Sequence, residues 1–213
     1  MKKILRTIIL GLFLSIALIS MNKIAQATDN SKEPPEKIAL KDYQNSKSTL
    51  LKDGKQLYQN HNFTSNSPLE ISTFFFHVYE IQQQNIINNE SQKLSEYLLP
   101  TDEKLWFILN KNNPEGLIFT NEQEPIRMGG EKRSKDLYEI YRSIQTNVKQ
   151  IKKIIYIEFE GQGLFVVSHE NGEEVYASEG ASFILGVPSA KKINPDEIIL
   201  KMKERILLSQ QLD

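Results

Sequence analysis

Ile154-Ile155-Tyr156-Ile157-Glu158-Phe159, Gly161-Gln162-Gly163, Leu164-Phe165-Val166-Val167-Ser168-His169, Glu170-Asn171-Gly172 and Glu173-Glu174-Val175-Tyr176-Ala177-Ser178 follow one another almost without a break. In the first segment Ile155, Ile157 and Phe159 alternate with Ile154, Tyr156 and Glu158, which is the period of a strand. Glycines then turn the chain. The Asn171-Gly172 pair is the sequence favoured by type I′ hairpins, whose two central residues need positive φ. The stretch therefore reads as a three-stranded antiparallel meander. Residues 181–185 read as a fourth strand, ended by Gly186-Val187-Pro188.

Helical patterns lie on both sides of this meander. Upstream, Leu137, Ile140, Tyr141, Ile144, Val148 and Ile151 form an apolar stripe. Ser134 is placed to cap that helix, and Asp136 falls in its first turn. Downstream, Asn194-Pro195-Asp196-Glu197 combines a cap, a first-turn proline and an early acid. Ile198, Ile199, Met202 and Ile206 follow as a packing face. Further upstream, Ser67-Pro68-Leu69-Glu70 reads as a capping box. Ile71, Phe74, Phe75, Val78 and Ile81 then recur at helical spacing. A shorter helix is expected around Leu94, Tyr97 and Leu98, stopping before Pro100. The run 105–109 fits a helix or a buried strand equally well. Asn112-Asn113-Pro114-Glu115-Gly116 is a turn, residues 117–120 a strand, and residues 126–128 its short partner. No sequence repeat is visible. The expected fold is α+β: a three- to four-stranded antiparallel meander flanked by amphipathic helices, in a single domain over residues 67–213.

Residues 1–27 have the three parts of a secretory signal peptide. Met1-Lys2-Lys3-Ile4-Leu5-Arg6 is a basic head, residues 7–19 are apolar, and Ala25-Gln26-Ala27 is a small-residue cleavage site. The apolar run is short for a membrane span, which takes about 20 residues. The expected location is thus exported, periplasmic or extracellular, with no stable membrane span after cleavage. Residues 28–66 read as a flexible polar leader, interrupted at Glu33-Pro34-Pro35-Glu36, with a possible short helix over 40–57.

The 213-residue chain has no cysteine, so a lipoprotein acylated on cysteine, disulfides, thiolate metal sites and cysteine nucleophiles are excluded. It carries 26 basic and 27 acidic residues. Loss of Lys2, Lys3, Arg6 and Lys23 with the signal leaves 22 against 27, a net charge of −5. An acidic chain argues against nucleic acid as a partner. The three histidines, His61, His77 and His169, show no metal spacing such as H-E-x-x-H, and no metal or cofactor is expected. His77 and Glu80 stand one helical turn apart if their segment is a helix. Ser168 and His169 are strand neighbours and point to opposite faces, which prevents a direct Ser–His pair. Arg127-Met128-Gly129-Gly130-Glu131-Lys132-Arg133 is the most suggestive site. Gly129 and Gly130 precede a helix whose N-terminus attracts anions, and Arg127, Lys132 and Arg133 add positive charge. It lacks the P-loop spacing.

Three functions fit this reading. The first is an exported, noncatalytic protein that binds a ligand or an envelope or extracellular protein partner in an accessory or assembly role. The second is a secreted hydrolase whose site is assembled from distant residues. The third is a secreted effector. The absence of a recognisable catalytic motif puts the binding protein first.

Overall fold

The computed structural model describes residues 33–54, 68–88 and 90–211. The signal peptide expected over 1–27, His61, the cap at Ser67 and most of the expected leader lie outside these residues. Residues Pro34–Asp213 form one compact unit. In chain order the elements are α1 (Pro35–Gly54), β1 (Glu70–Ile71), β2 (Phe76–Ile81), α2 (Gln83–Asn88), a 3-10 turn (Leu94–Tyr97), β3 (Leu98–Asn110), β4 (Asn113–Thr120), β5 (Pro125–Gly129) and α3 (Glu131–Asn147). Then come β6 (Ile151–Phe159), β7 (Gln162–His169), β8 (Gly172–Ala177), α4 (Glu179–Leu185), β9 (Lys192–Ile193) and α5 (Pro195–Gln210).

The α+β class is present, and the sheet is larger than the expected meander. β6, β7 and β8 are antiparallel, with Ile155 opposite Val166 and Val166 opposite Val175. They form one end of a nine-stranded mixed sheet in the order β5-β4-β3-β2-β6-β7-β8-β9, with β1 also paired to β3. β2 and β6 run parallel, and every other ladder is antiparallel. The architecture is doubled. From β2 the chain steps outward through β3, β4 and β5 into α3. From β6 it steps outward the other way through β7, β8 and β9 into α5.

Turn chemistry supports the doubling. Lys111 (φ 48°) and Asn112 (φ 69°) join β3 to β4, and Glu160 (φ 46°) and Gly161 (φ 74°) join β6 to β7. Each is the positive-φ pair that a two-residue type I′ hairpin requires. The Asn171-Gly172 pair does not play this part. The loop closed by His169 opposite Gly172 has Glu170 and Asn171 at its centre, and Gly172 (φ 133°) already begins β8.

Several local expectations are corrected. The stretch 71–81 holds strands, not a helix. Phe76 and Val78 are buried while His77 between them is exposed, a period of two. The apparent 3.6 stripe combined residues from both faces of a strand that has a neighbour on each side. Residues 94–98 contain a single 3-10 turn, and 105–109 lie inside β3. Residues 181–185 belong to α4: Ala181 N–H donates to Ser178 Oγ at 3.2 Å, and Gly186 ends the helix in the left-handed region at φ 66°. α3 starts at Glu131 with Gly130 as its cap, and Ser134 instead donates from Oγ to the Gly116 carbonyl at 3.0 Å. Within the expected leader, α1 begins at Pro35, a position that tolerates proline because its N–H would be unsatisfied anyway.

α3 covers one sheet face, burying Leu137, Ile140 and Ile144 against Phe76, Phe107, Phe119, Tyr156 and Phe165. The opposite face has two separate covers. α1 packs Ala39 on Ile108 and Ile118. Its Tyr43 hydroxyl donates to the Glu115 carbonyl at 2.6 Å, and the ring lies where a Cβ on Gly116 would stand, 2.8 Å away. α5 packs Ile198, Met202 and Ile206 over Ile155, Ile157, Val166 and Val175, with α2 and α4 at its borders.

Phe165 is fully buried and ring-packed against Phe76 (5.0 Å) and Tyr156 (5.5 Å). Phe165→Ala should cost about 3–5 kcal/mol. A Cβ at Gly163 would stand 2.7 Å from the Tyr156 hydroxyl and 3.0 Å from a Leu137 methyl. Gly163→Ala should therefore cost roughly 1–3 kcal/mol by overpacking. Urea unfolding measures both, and a neutral Gly163→Ala would contradict this packing.

Candidate functional site

Alternation along β6 places Glu158 beside Tyr156 on the face covered by α3, but past the end of its apolar contacts. Two cations converge there. Arg127 comes from β5 and donates from Nη1 to both oxygens of Glu158 at 2.8 Å. Arg133 comes from the first turn of α3 and donates from Nη2 to Glu158 Oε1 at 2.6 Å and to the Tyr156 hydroxyl at 2.8 Å. The Tyr156 hydroxyl donates to Glu158 Oε1 at 2.9 Å. Glu103 on β3 adds a longer contact to Arg127 Nη2 at 3.5 Å.

Arg127 also lies flat on the Phe119 ring, its guanidinium carbon 3.6 Å from the centroid, because the two residues are opposite each other in the β4–β5 ladder. Burial pushes the Tyr156 hydroxyl far above its ordinary pKa, and the neighbouring Glu158 carboxylate pushes the same way, with Arg133 opposing. For Arg133 burial favours proton loss, but Tyr156 and Glu158 outweigh it and hold the guanidinium charged. Arg133 Nε is buried without a hydrogen-bond partner.

Two cavities flank this hub. An open cleft of about 450 Å³ lies between the start of α3 and α4, lined by Lys132, Arg133, Asp136, Gln162, Gly180 and Phe183 among others. Asp136 accepts the Glu179 N–H at 2.8 Å, tying α3 to α4. Burial raises the Asp136 carboxyl above its ordinary range, and nearby acids raise it further against that hydrogen bond. Gly180 lets α4 lie on Gln162, since a Cβ there would stand 1.9 Å from Gln162 Oε1. Phe183 projects at the rim with 89% of its surface exposed. The second cavity, about 320 Å³, lies at the carboxyl ends of β2 and β6, where the chain departs in opposite directions. Glu80, Thr101, Glu103, Arg127, Glu158 and Glu160 are among its lining residues.

The structure brings Arg127 and Arg133 together, on a shared carboxylate. An incoming anion would have to compete with Glu158 for both. Lys132 points away to Glu179, 3.2 Å distant, on the cleft rim. Gly129 ends β5, where a Cβ would press on Leu117 at 3.2 Å, and Gly130 leaves the α3 N-terminus without a side-chain cap. Sequence reading missed Glu158, Tyr156, Phe119 and Phe183. The signal for the first was visible: an acid stands in register with Ile154 and Tyr156 on an otherwise inward face.

The histidines lie elsewhere. His77 is exposed and meets the Phe75 ring edge-on at 5.1 Å. His169 Nδ1 accepts the Asn171 N–H at 3.2 Å, and its Nε2 is 3.1 Å from Glu174 Oε1, too misaligned for a hydrogen bond. Glu174 also accepts from Lys192 at 2.6 Å and from the Tyr176 hydroxyl at 2.8 Å. Burial opposes its charge, but these two partners hold the carboxyl below its ordinary range. Among the described residues no three histidines or acids are grouped to hold a metal, and no helix is long and apolar enough to cross a membrane. Comparison with protein-family models, curated proteins and solved structures finds no match.

The raised Tyr156 hydroxyl has a consequence for pH dependence. A tyrosine in the unfolded chain loses its proton near pH 10. The folded state keeps it to higher pH, so this contribution to stability is complete below about pH 10 and is lost as pH rises further. Tyr176 is raised in the same direction, by burial first and then by Glu174. Urea unfolding between pH 8 and pH 11 should show a steeper alkaline loss for the native protein than for Tyr156→Phe. Equal slopes would contradict the buried, Glu158-bound hydroxyl.

Proposed function

We propose that this chain is an exported, noncatalytic binding module, periplasmic or extracellular, that engages an envelope or extracellular protein through the cleft between α3 and α4. The observation that carries the reading is Phe183, 89% exposed on the rim of the cleft. A large apolar side chain held out beside a cavity is a docking anchor of the kind that dominates interface energetics. The cleft floor is stiffened from below by the Arg133–Glu158 contact and at its side by Asp136. Its rim carries both signs of charge, Lys132 and Glu179. This combination fits a partner segment with an apolar or aromatic residue for Phe183. A carboxylate on that segment would meet Lys132 and the first turn of α3 after Gly129 and Gly130. Arg127 and Arg133 serve this reading as fixed scaffold, with their charge spent on Glu158.

A photoreactive phenylalanine analogue in place of Phe183, expressed in the native host, should give a discrete protein adduct in intact cells. The adduct should disappear with Lys132→Glu. Phe183→Ala should leave urea stability within about 0.5 kcal/mol, as for other exposed positions. The reading loses if no adduct forms while the purified protein turns over a model ester, peptide or glycan.

Export has its own check. The chain recovered from cells should begin at Thr28 by N-terminal mass analysis. An intact Met1 terminus in the cytoplasmic fraction would remove the export reading and leave the cleft reading to the crosslinking result.

A further inference from the structure

Among the described residues the sheet face opposite α3 is covered by two helical layers with a gap between them. α1 and its apolar contacts end at Trp106 on β3, and the α5 layer ends at Tyr79 on β2. In the gap, side chains of β3, of β2 with the residue before it, and of β6 form a strip: Trp106 and Lys104, then Phe75, His77 and Tyr79, then Lys153. Phe75 is 38% exposed, and its ring lies 4.8 Å from Trp106 and 5.1 Å from His77. Lys104 Nζ stands 5.4 Å from the Phe75 centroid, directly opposite His77 in the β2–β3 ladder. Lys153 Nζ lies 4.6 Å from the Tyr79 centroid and donates to the Tyr79 hydroxyl. Trp106 is fixed by donating from Nε1 to Thr120 Oγ1 at 3.2 Å.

The charges of this strip are two lysines that touch aromatic rings. Lys47, Lys132, Lys135, Lys192, Lys201 and Arg205 each face a carboxylate within ion-pair distance. Lys104 and Lys153 do not, among the described residues, and the same holds for Lys93, Lys111, Lys149 and Lys191; what marks Lys104 and Lys153 is their contact with rings, Lys104 over Phe75 and Lys153 at the hydroxyl edge of Tyr79. Neither a ring face, as for Lys104, nor a neutral hydroxyl, as for Lys153, cancels the ammonium charge, which stays available to an anion. β2 lies inside the sheet with β3 on one side and β6 on the other, so it offers no edge to which an extended peptide could add a strand. Recognition is left to ring faces and sparse positive charge.

We propose that this strip binds an anionic polysaccharide, with sugar faces stacking on the rings and carboxylates meeting Lys104 and Lys153. The electron-rich ring faces suit the polarised C–H groups of a sugar. Two point-charge lysines and no arginine suit a thinly charged polymer better than a phosphate chain, which is met by arginine forks and dense positive charge. Preference for a polysaccharide over single-stranded nucleic acid also leans on the export reading above, and the assay separates the two. The strip and the α3–α4 cleft share no residue, so failure of one leaves the other standing.

Trp106 is the chain's single tryptophan, so its emission reports on the strip directly. The full chain would be titrated with an oligogalacturonate, with neutral dextran, with polyglutamate and with an oligothymidylate. A saturable emission change with the oligogalacturonate and none with dextran is expected. Lys104→Gln/Lys153→Gln should weaken it roughly tenfold, about 1.4 kcal/mol, and Phe75→Ala at least as much, with circular dichroism unchanged. The proposal is overturned by any of three results. These are no response to the oligogalacturonate, a stronger response to oligothymidylate or polyglutamate, or an affinity that the lysine substitutions leave unchanged in a folded protein.

Discussion

One pairing makes a single sheet out of two: β2 beside β6, with Val78 opposite Tyr156 and Tyr79 opposite Ile157. It is the parallel ladder in an otherwise antiparallel sheet. Parallel neighbours cannot be joined by a tight turn, so the chain must travel through β3, β4, β5 and α3 before β6 returns to β2. Everything N-terminal to α3 depends on that return for its inner edge. Everything C-terminal depends on it for closure of the core beneath α3. Without it two open-edged sheets would each expose a row of unpaired main-chain groups.

The charged hub sits where the same pairing ends. Arg127 and Glu103 belong to the first run of strands, Tyr156 and Glu158 to the second, and Arg133 to the helix between them. Arg127 and Arg133 are each about one third exposed, so the net worth of these ion pairs in water is modest. Their value is geometric. One carboxylate receives donors from both halves and from α3, which fixes the register of three elements at the rim of both cavities. Removing Glu158 would leave Arg127 with only its longer contact to Glu103, and Arg133 and the buried Tyr156 hydroxyl without a carboxylate, a cost in unmet desolvation and not merely a lost contact.

What the sequence disclosed follows from the range of the forces involved. β6, β7 and β8 were readable because alternation and turns are local. α5 was readable because Asn194, Pro195 and the acids after them act on the helix's own first turn. β2 was misread because Phe74, Phe75, Val78 and Ile81 satisfy a helical period by accident. The deciding fact, a strand on each side, comes from residues far away in the chain. α4 was misread for a smaller reason: Ser178 and Gly186 are cap signals around a short apolar segment that also fits a strand. The candidate site was half legible. Arg127 and Arg133 stand out as charges around glycines, but no local pattern pairs them with Glu158, a residue 25 and more positions downstream.

The doubled plan also explains why the face opposite α3 is divided. α3 lies between the two strand runs in sequence and covers the centre of its face, spanning both. On the other face each run has its own cover, α1 on β3 and β4, α5 on β6, β7 and β8. Among the described residues the seam between the two covers falls at the start of β2, the strand whose pairing with β6 unites the sheet, while Tyr79 and Ile81 further along it already pack against the α5 layer. β2 is paired on both sides, to β3 and, at Val78 and Tyr79, to β6, while His77 on its outward face is exposed. His77 and Tyr79 are thus presented by a strand inside the sheet, with Phe75 just before it, and a surface set on a paired strand loses little conformational entropy when something binds to it.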